Sequence, residues 1–427
     1  MQTAGNFFLG LPAISSVNTG IGNNFANYND LIYRCPVSDS LITFLHPQGD
    51  LTAFINLLQH QNIMKAGLHT GLFSMGFRIR KSYLSFHVNE RVSLSGTVPK
   101  DLFLFTLQGN TDFIGKTADF SSLGIDFNAY REFALGYSQH ITPFLTIGAR
   151  GKLLFGKGNL SFHDAELSIF TNPDDYQMNL TSRFTLNASF PVNYDGDITS
   201  LSLRLDETAD IVDWAISNFN PGYALDLGIS LKPSEFLTLS ASVIDLGFIN
   251  WEQDVYNFSM NGHFIFDGID VSPAFSDGFD DDLFESLLDS IANIFTITES
   301  RDPYRTWLNT KLYVGGVYRF DPRLQLGVLG RIGMAGNRTD DALTFSVNSE
   351  LTNWLSASVS YSVMQRSYTN FGTGFSINLG PFQFYLVSDH LNALFYPGNV
   401  RIVNLWFGMN LVFGTKKKVQ IQDIENE

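Results

Sequence analysis

The sequence predicts an all-β protein, a transmembrane antiparallel β-barrel of about 14 strands whose long loops carry short helices. Three observations point there. The first is alternation: over 355–363, Leu355, Ala357, Val359, Tyr361 and Val363 alternate with Ser356, Ser358, Ser360 and Ser362. Successive side chains on a strand point to opposite faces, so this stretch has one apolar and one polar face. The second is the spacing of tight polar turns between much longer connections, as in barrels with short turns at one end and long loops at the other. The third is composition. Aromatic residues make up 14% of the 427 residues, with 39 Phe, and only 16% are charged. No uncharged apolar run reaches the roughly 20 residues that a membrane helix needs. In a bilayer only helices and closed barrels satisfy their own backbone, so a spanning chain of this kind spans as a barrel.

The turns orient the strands. Lys81-Ser82, Ile141-Thr142-Pro143, Pro233-Ser234-Glu235, Asp321-Pro322-Arg323, Thr352-Asn353 and Gly380-Pro381 carry the Pro, Gly, Asp, Asn and Ser that favour turns. They are placed on the periplasmic side, with the long segments 24–62, 98–118, 158–220 and 250–305 outside. The strands then run over 11–23, 63–80, 83–97, 119–140, 144–157, 222–232, 236–249, 306–320, 323–336, 340–350, 354–365, 368–379, 382–391 and 399–413. Residues 1–413 thus form a single barrel, and the even strand count puts both termini in the periplasm. Segment 24–62 is a plug or a surface cap. The stretches 166–190 and 254–266 read as β extensions above the membrane; if they span instead, the count rises to 16 or 18. Residues 414–427, with Lys416-Lys417-Lys418, form a polar periplasmic tail. Trp251, Trp307 and Trp354, near strand ends, suit the membrane interfaces.

Helices are expected only in connections. Residues 51–59, with Leu51, Phe54, Ile55 and Leu58, follow the spacing of one helical face. So do 281–294, with Leu283, Phe284, Leu287, Leu288 and Ile291 behind Asp280-Asp281-Asp282. Residues 208–216 are a weaker instance.

Composition also excludes. The net charge of −15 argues against a nucleic-acid partner, and a single cysteine, Cys35, excludes an internal disulfide framework. The opening Met1-Gln2-Thr3-Ala4 reads as a mature form whose export signal has been removed. No nucleophile elbow, phosphate loop or zinc spacing is present, so no catalytic residue, metal or cofactor is assigned. His46, His60, His69 and His87 lack ligand spacing, and Ser161-Phe162-His163-Asp164 reads as a solvated loop. The acidic stretch 250–305 reads as a solvated, repulsive surface, with divalent-cation binding as the alternative.

Several stretches resemble an outer-membrane protein family of the Bacteroidota with unknown function. They are Leu41-Ile42-Thr43-Phe44-Leu45-His46-Pro47, Leu72-Phe73-Ser74-Met75-Gly76-Phe77, Val98-Pro99-Lys100-Asp101-Leu102-Phe103, Ala134-Leu135-Gly136-Tyr137-Ser138 and 237–247. More distantly, that family is similar to the 14-stranded long-chain fatty-acid transporter barrels and to secretion-associated barrels. The resemblance implies passage or binding of a small hydrophobic compound, or else a non-transporting accessory role beside other outer-membrane proteins. Outer-membrane lipid is the constant partner.

Four groups of residues stand out. Glu132, Arg150, Lys152, Asp226, Lys311 and Arg331 fall on polar faces and are lumen candidates, either as an anion-selective lining or, the favoured reading, as paired filling. Asp245 breaks the apolar face of its strand and Gly247 tolerates a bulge, so the two mark a kink or lateral opening. Glu90 and Arg131 interrupt apolar faces on neighbouring strands. Charge in hydrocarbon is expensive, so they form an ion pair, contact a partner, or turn inward through a bulge.

Overall fold

The computed structural model describes residues 5–35, 38–162, 165–193, 202–204, 212–214, 216–266, 297–335, 338–364, 367–390, 393 and 396–414. Fourteen antiparallel strands close into a barrel. β1 runs in two pieces, Phe7–Gly10 and Val17–Asn23. It is followed by β2 (Gln61–Ile79), β3 (Ser82–Pro99), β4 (Gly124–His140), β5 (Leu145–Phe162), β6 (Pro221–Leu231) and β7 (Leu237–Trp251). The second half comprises β8 (Thr310–Asp321), β9 (Leu324–Ala335), β10 (Arg338–Glu350), β11 (Leu355–Met364), β12 (Ser367–Leu379), β13 (Phe382–Ser388) and β14 (Ile402–Phe413). Each pairs with its neighbours in sequence. β1 closes the ring by pairing with both β14 and β2, with Phe7 opposite Phe413 and Ile21 opposite Val403.

All six expected tight turns lie at one end, beside Phe7 and Phe413, and the other seven connections lie at the opposite end. Closure satisfies the strand edges internally, and alternation sorts the side chains. Leu135, Leu153, Val314, Phe345, Val359, Phe371 and Phe382 point outward and are exposed, while Ser85, Glu132, Lys152, Asp226 and Asn410 point inward and are buried. An apolar belt around a polar interior is the pattern that a bilayer selects. Among the described residues, no helix is long and apolar enough to cross a membrane.

Three of the wall's irregularities bear on the site. β1 begins at Phe7 rather than near residue 11, and Leu11–Ser16 loop out of the ladder between its two pieces. Periodicity hides this, because the apolar Leu11, Ala13 and Ile14 continue an apolar run. Ser15 is buried there and its hydroxyl donates to the Gly71 carbonyl at 3.2 Å. A side chain on Gly10 or Gly408 would collide with the Ser15 segment. The second irregularity is a bulge in β5 opposite Ala129 and Tyr130. The third is in β7, where register slips between Leu225 and Leu227 of β6 and Asp245 has φ 61°. An inserted residue reverses the facing of everything after it. Trp251, expected at a membrane interface, is for that reason inside and fully buried, whereas Trp307 and Trp354 are exposed.

The walls differ in height. β2 to β5 have 17 to 19 residues, and β11 has 10. Beyond the tall wall, the segments Thr117–Asp119, Glu166–Thr171, Met178–Ser189, Val255–Phe266 and Ile297–Ser300 form a sheet outside the barrel count. Leu186–Ser189 pair with Asn159–Phe162 of β5, so this sheet continues the wall. Segment 24–60 joins β1 to β2 at the loop end. Its helices α1 (Tyr28–Leu31) and α2 (Leu51–Leu57) sit near α3 (Lys100–Gln108), which follows β3. Phe54 of α2 stacks on Phe44 at 3.8 Å and meets Phe103 of α3 edge-on at 6.0 Å. The helical face expected over 51–59 is present, and α3 occupies a connection for which no helix is expected. The helix expected over 281–294, His163-Asp164, residues 267–296 of the acidic stretch 250–305 and the Lys416–Lys418 tail lie outside the described residues. Of 208–216, residues 212–214 and 216 are helical.

Candidate functional site: a charged lattice across the lumen

The inner faces of β3 to β8 converge on one cluster. Alternation turns Asn89 and Arg91 of β3, Glu132 of β4, Arg150 and Lys152 of β5, Asp226 of β6 and Lys311 of β8 inward. The β7 bulge adds Asp245. Lys152 Nζ lies 2.5 Å from Asp245 Oδ1, 2.7 Å from Asp226 Oδ1 and 3.6 Å from Glu132 Oε2. Arg91 reaches Glu132 at 3.2 Å and Asp245 at 3.4 Å. Lys311 lies 3.5 Å from Asp245, and Arg150 lies 3.8 Å from Asp226. Asn89 donates to Glu132 at 2.9 Å, and the Asp245 backbone N–H donates to Asp226 at 2.9 Å. Four cations thus face three carboxylates.

Taking such charges out of water costs several kcal/mol per ion, recovered only through close, multiple pairing. Lys152 shows that pairing most fully, since its ammonium is enclosed by three carboxylates. The arrangement fills space with paired charge, and each of the three carboxylates has a cation beside it. Among the described residues, no set of three or more His, Cys, Asp or Glu side chains is arranged to hold a metal ion.

Of the residues singled out from sequence, Glu132, Arg150, Lys152, Asp226 and Lys311 come together here. Arg331 stands apart, 3.2 Å from Asp340. Asp340 also meets Lys65 at 2.9 Å. Lys65 is on β2 and Asp340 on β10, nearly opposite around the ring, so this contact crosses the lumen. Sequence reasoning misses Lys65, Arg91 and Asp340, although Arg91 follows Glu90 and alternation alone sends it inward. Their partners are distant in sequence, and alternation does not report pairing.

Asp245 is both the bulge residue and the most connected carboxylate. Gly247 plays a different part from the one expected. A side chain there would collide with the Tyr223 carbonyl oxygen and Ala224 Cα, so Gly247 permits the close approach of β6 and β7. The β7–β8 ladder runs to Ile244 opposite Lys311. It resumes at Phe248 opposite Trp307, in the short strand Tyr304–Trp307 that precedes β8. Between them, the Leu308 N–H donates to the Gly247 carbonyl at 2.9 Å and the Thr310 hydroxyl donates to the Asp245 carbonyl at 3.1 Å.

Glu90 and Arg131 are directly opposite each other on β3 and β4. They share the outer face with Val88, Val92 and Phe133, and Arg131 Nε donates to Glu90 Oε1. The β5 bulge beside them inserts Lys157 and does not turn Arg131 inward.

On the loop side of the lattice the interior becomes apolar. Tyr130, Leu154, Ala224, Ile249, Trp251, Val255 and Leu308 form a buried cluster, with Tyr304 packed on it. The Trp251 indole donates to Thr306 at 2.8 Å and the Tyr304 hydroxyl donates to Asn159 at 2.6 Å, so both polar tips are satisfied.

Residues 1–389 match the model of a family of unknown function, DUF5723. The chain belongs to that family. No curated protein matches it. Among solved structures, the toluene transporter TbuX of Ralstonia pickettii is 8% identical, with 96% of this chain and 90% of that one covered and a TM-score of 0.42. The toluene transporter TodX of Pseudomonas putida is 9% identical, with 96% and 89% covered and a TM-score of 0.41. A FadL homologue of Pseudomonas aeruginosa is 10% identical, with 96% and 90% covered and a TM-score of 0.42. At these identities the likeness concerns the fold alone.

Proposed function

We propose that this DUF5723 protein is an integral barrel of the bacterial outer membrane, its turn end and termini periplasmic, that binds or passes a small hydrophobic compound. The compound enters the apolar cluster around Trp251 and leaves sideways through the wall between β7 and β8. The interrupted ladder at residues 245–247 carries this reading. There the apolar cluster inside and the exposed Leu246 outside are separated by one strand. An axial route is disfavoured, because an apolar solute would have to displace the paired charges around Lys152, which costs several kcal/mol per ion.

The test locks the seam. Phe248→Cys with Trp307→Cys, in a Cys35→Ser background, places two cysteines at directly opposed positions. Uptake of oleate and of toluene is measured in cells carrying the oxidised or reduced protein. Uptake that falls several-fold on oxidation and returns on reduction supports the lateral route. Uptake equal to that of cells without the protein rejects transport. A second reading, a non-transporting accessory subunit of an outer-membrane complex, is favoured by the Lys65–Asp340 contact across the lumen. It is supported if uptake is absent and the barrel is recovered with other outer-membrane proteins.

A further inference from the structure

Just before β6, described residues of the connection that follows β5 lie against the outside of the barrel. Lys157, the inserted residue of the β5 bulge, faces outward beside Arg131. Its ammonium donates to the carbonyls of Trp214, at 3.2 Å, and Ser217. The Trp214 indole donates back to the Lys157 carbonyl at 3.1 Å. Farther along the same wall, Phe190 stacks on the outward Phe127 with centroids 5.5 Å apart. Residues 212–214 and 216–219 are therefore fastened to the outer wall by reciprocal hydrogen bonds, not suspended above the mouth.

Three large apolar side chains of this short segment remain exposed: Val212 at 49%, Ile216 at 63% and Phe219 at 42%. Val212 and Ile216 are four residues apart, the spacing of one helical face, and Phe219 follows just beyond the helical residues. Their height can be reckoned from the turn end. Strands rise about 3.3 Å per residue and tilt about 40° in such barrels. Lys157 is twelve residues above Leu145, so it stands about 30 Å up, just beyond an apolar band about 25 Å tall. Below it, Leu135 and Leu153 are exposed on the outer belt. A segment held there with an apolar face turned outward meets the boundary between lipid headgroups and acyl chains, where amphipathic segments bury one face by about 5–10 Å.

We propose that this segment is an interfacial lipid anchor, pinned to the wall by Lys157 and dipping Val212, Ile216 and Phe219 into the membrane surface. The proposal rests on the reading of the barrel as membrane-spanning, and its test separates the two. Single cysteines at Ile216, at Leu135 in the belt and at Asp175 in the outlying sheet's turn are placed in a Cys35→Ser background. Each is labelled with an environment-sensitive fluorophore, and the full chain is reconstituted in phosphatidylcholine vesicles containing lipids brominated at shallow and at deep acyl-chain positions. The Leu135 and Ile216 labels should both be quenched at least several-fold more than the Asp175 label. Adding Lys157→Met, with folding checked by heat-dependent gel mobility, should return the Ile216 label toward the Asp175 value. An Ile216 label that matches Asp175 while Leu135 is quenched overturns the anchor and leaves the barrel standing. An unquenched Leu135 label overturns both.

Discussion

Lys152 concentrates the lumen's electrostatics in one side chain. Its ammonium is shared by three carboxylates from three strands, so its removal takes away the one cation common to all three and leaves them to Arg91, Arg150 and Lys311 at 3.2 to 3.8 Å. Lys152→Met is expected to destabilise the barrel by about 3–5 kcal/mol, as when one partner of a buried ion pair is removed. Urea unfolding in vesicles would measure this, and a change below about 1 kcal/mol would contradict the geometry. The outer pair behaves differently. Arg131→Ala strands Glu90 on an apolar face, whereas the double change with Glu90→Ala removes both charges. The single variant should therefore be less stable than the double by roughly 1–2 kcal/mol, somewhat less than the roughly 2–4 kcal/mol of a lone basic residue at the bilayer midplane. A double-mutant cycle with no coupling would show that the two side chains do not rely on each other. Which residues point inward was legible from alternation, as Arg150, Lys152 and Asp226 show. Which inward residues touch was not, because Lys65 and Asp340 are 275 positions apart and only closure of the ring brings them together.

At the scale of elements, the strands were legible, and so was the kink at Asp245, which breaks an apolar face; the loop at Leu11–Ser16 and the β5 bulge were not. Turn chemistry located all six tight turns, since Pro, Gly and Asn constrain the backbone locally. A bulge is decided by what the inserted residue gains, and Asp245 gains Lys152, Arg91 and Lys311, none of them near it in sequence. Trp251 departs from its expected interface for the same reason. The loops carry their own expectation. His390, beyond β13, is buried, and its ring contacts Asn370 through Nε2 at 2.9 Å. Burial holds its pKa below the ordinary imidazole value, against the opposing pull of Asp389. The unfolded chain takes up a proton near pH ~6.5 while the folded one resists, so stability falls as pH drops below that value. Hydrogen exchange in the loop beyond β13 should quicken between about pH 7 and pH 5, and His390→Gln should flatten that dependence. Exchange that is equally pH-dependent in the variant would remove His390 from the explanation.

For the whole molecule, the even strand count places Phe7 of β1 and Phe413 of β14 beside the tight turns. Impermeant thiol reagents applied to intact cells should therefore label Asp175→Cys and spare Pro322→Cys, each in a Cys35→Ser background. The opposite result would invert the barrel. The fold class was readable because a closed barrel imposes one rule on every strand, and fourteen repetitions of a weak signal make a strong one. The lattice is a property of the closed ring, and no single strand announces it.

The four registered pairs between Leu186–Ser189 and Asn159–Phe162 also have a mechanical meaning. The outlying sheet is joined to β5 edge to edge, and a pull along its strands loads those pairs in shear, so that they resist together instead of unzipping in turn. Force applied to the surface sheet would travel down β5 to Lys152 before it reached any turn.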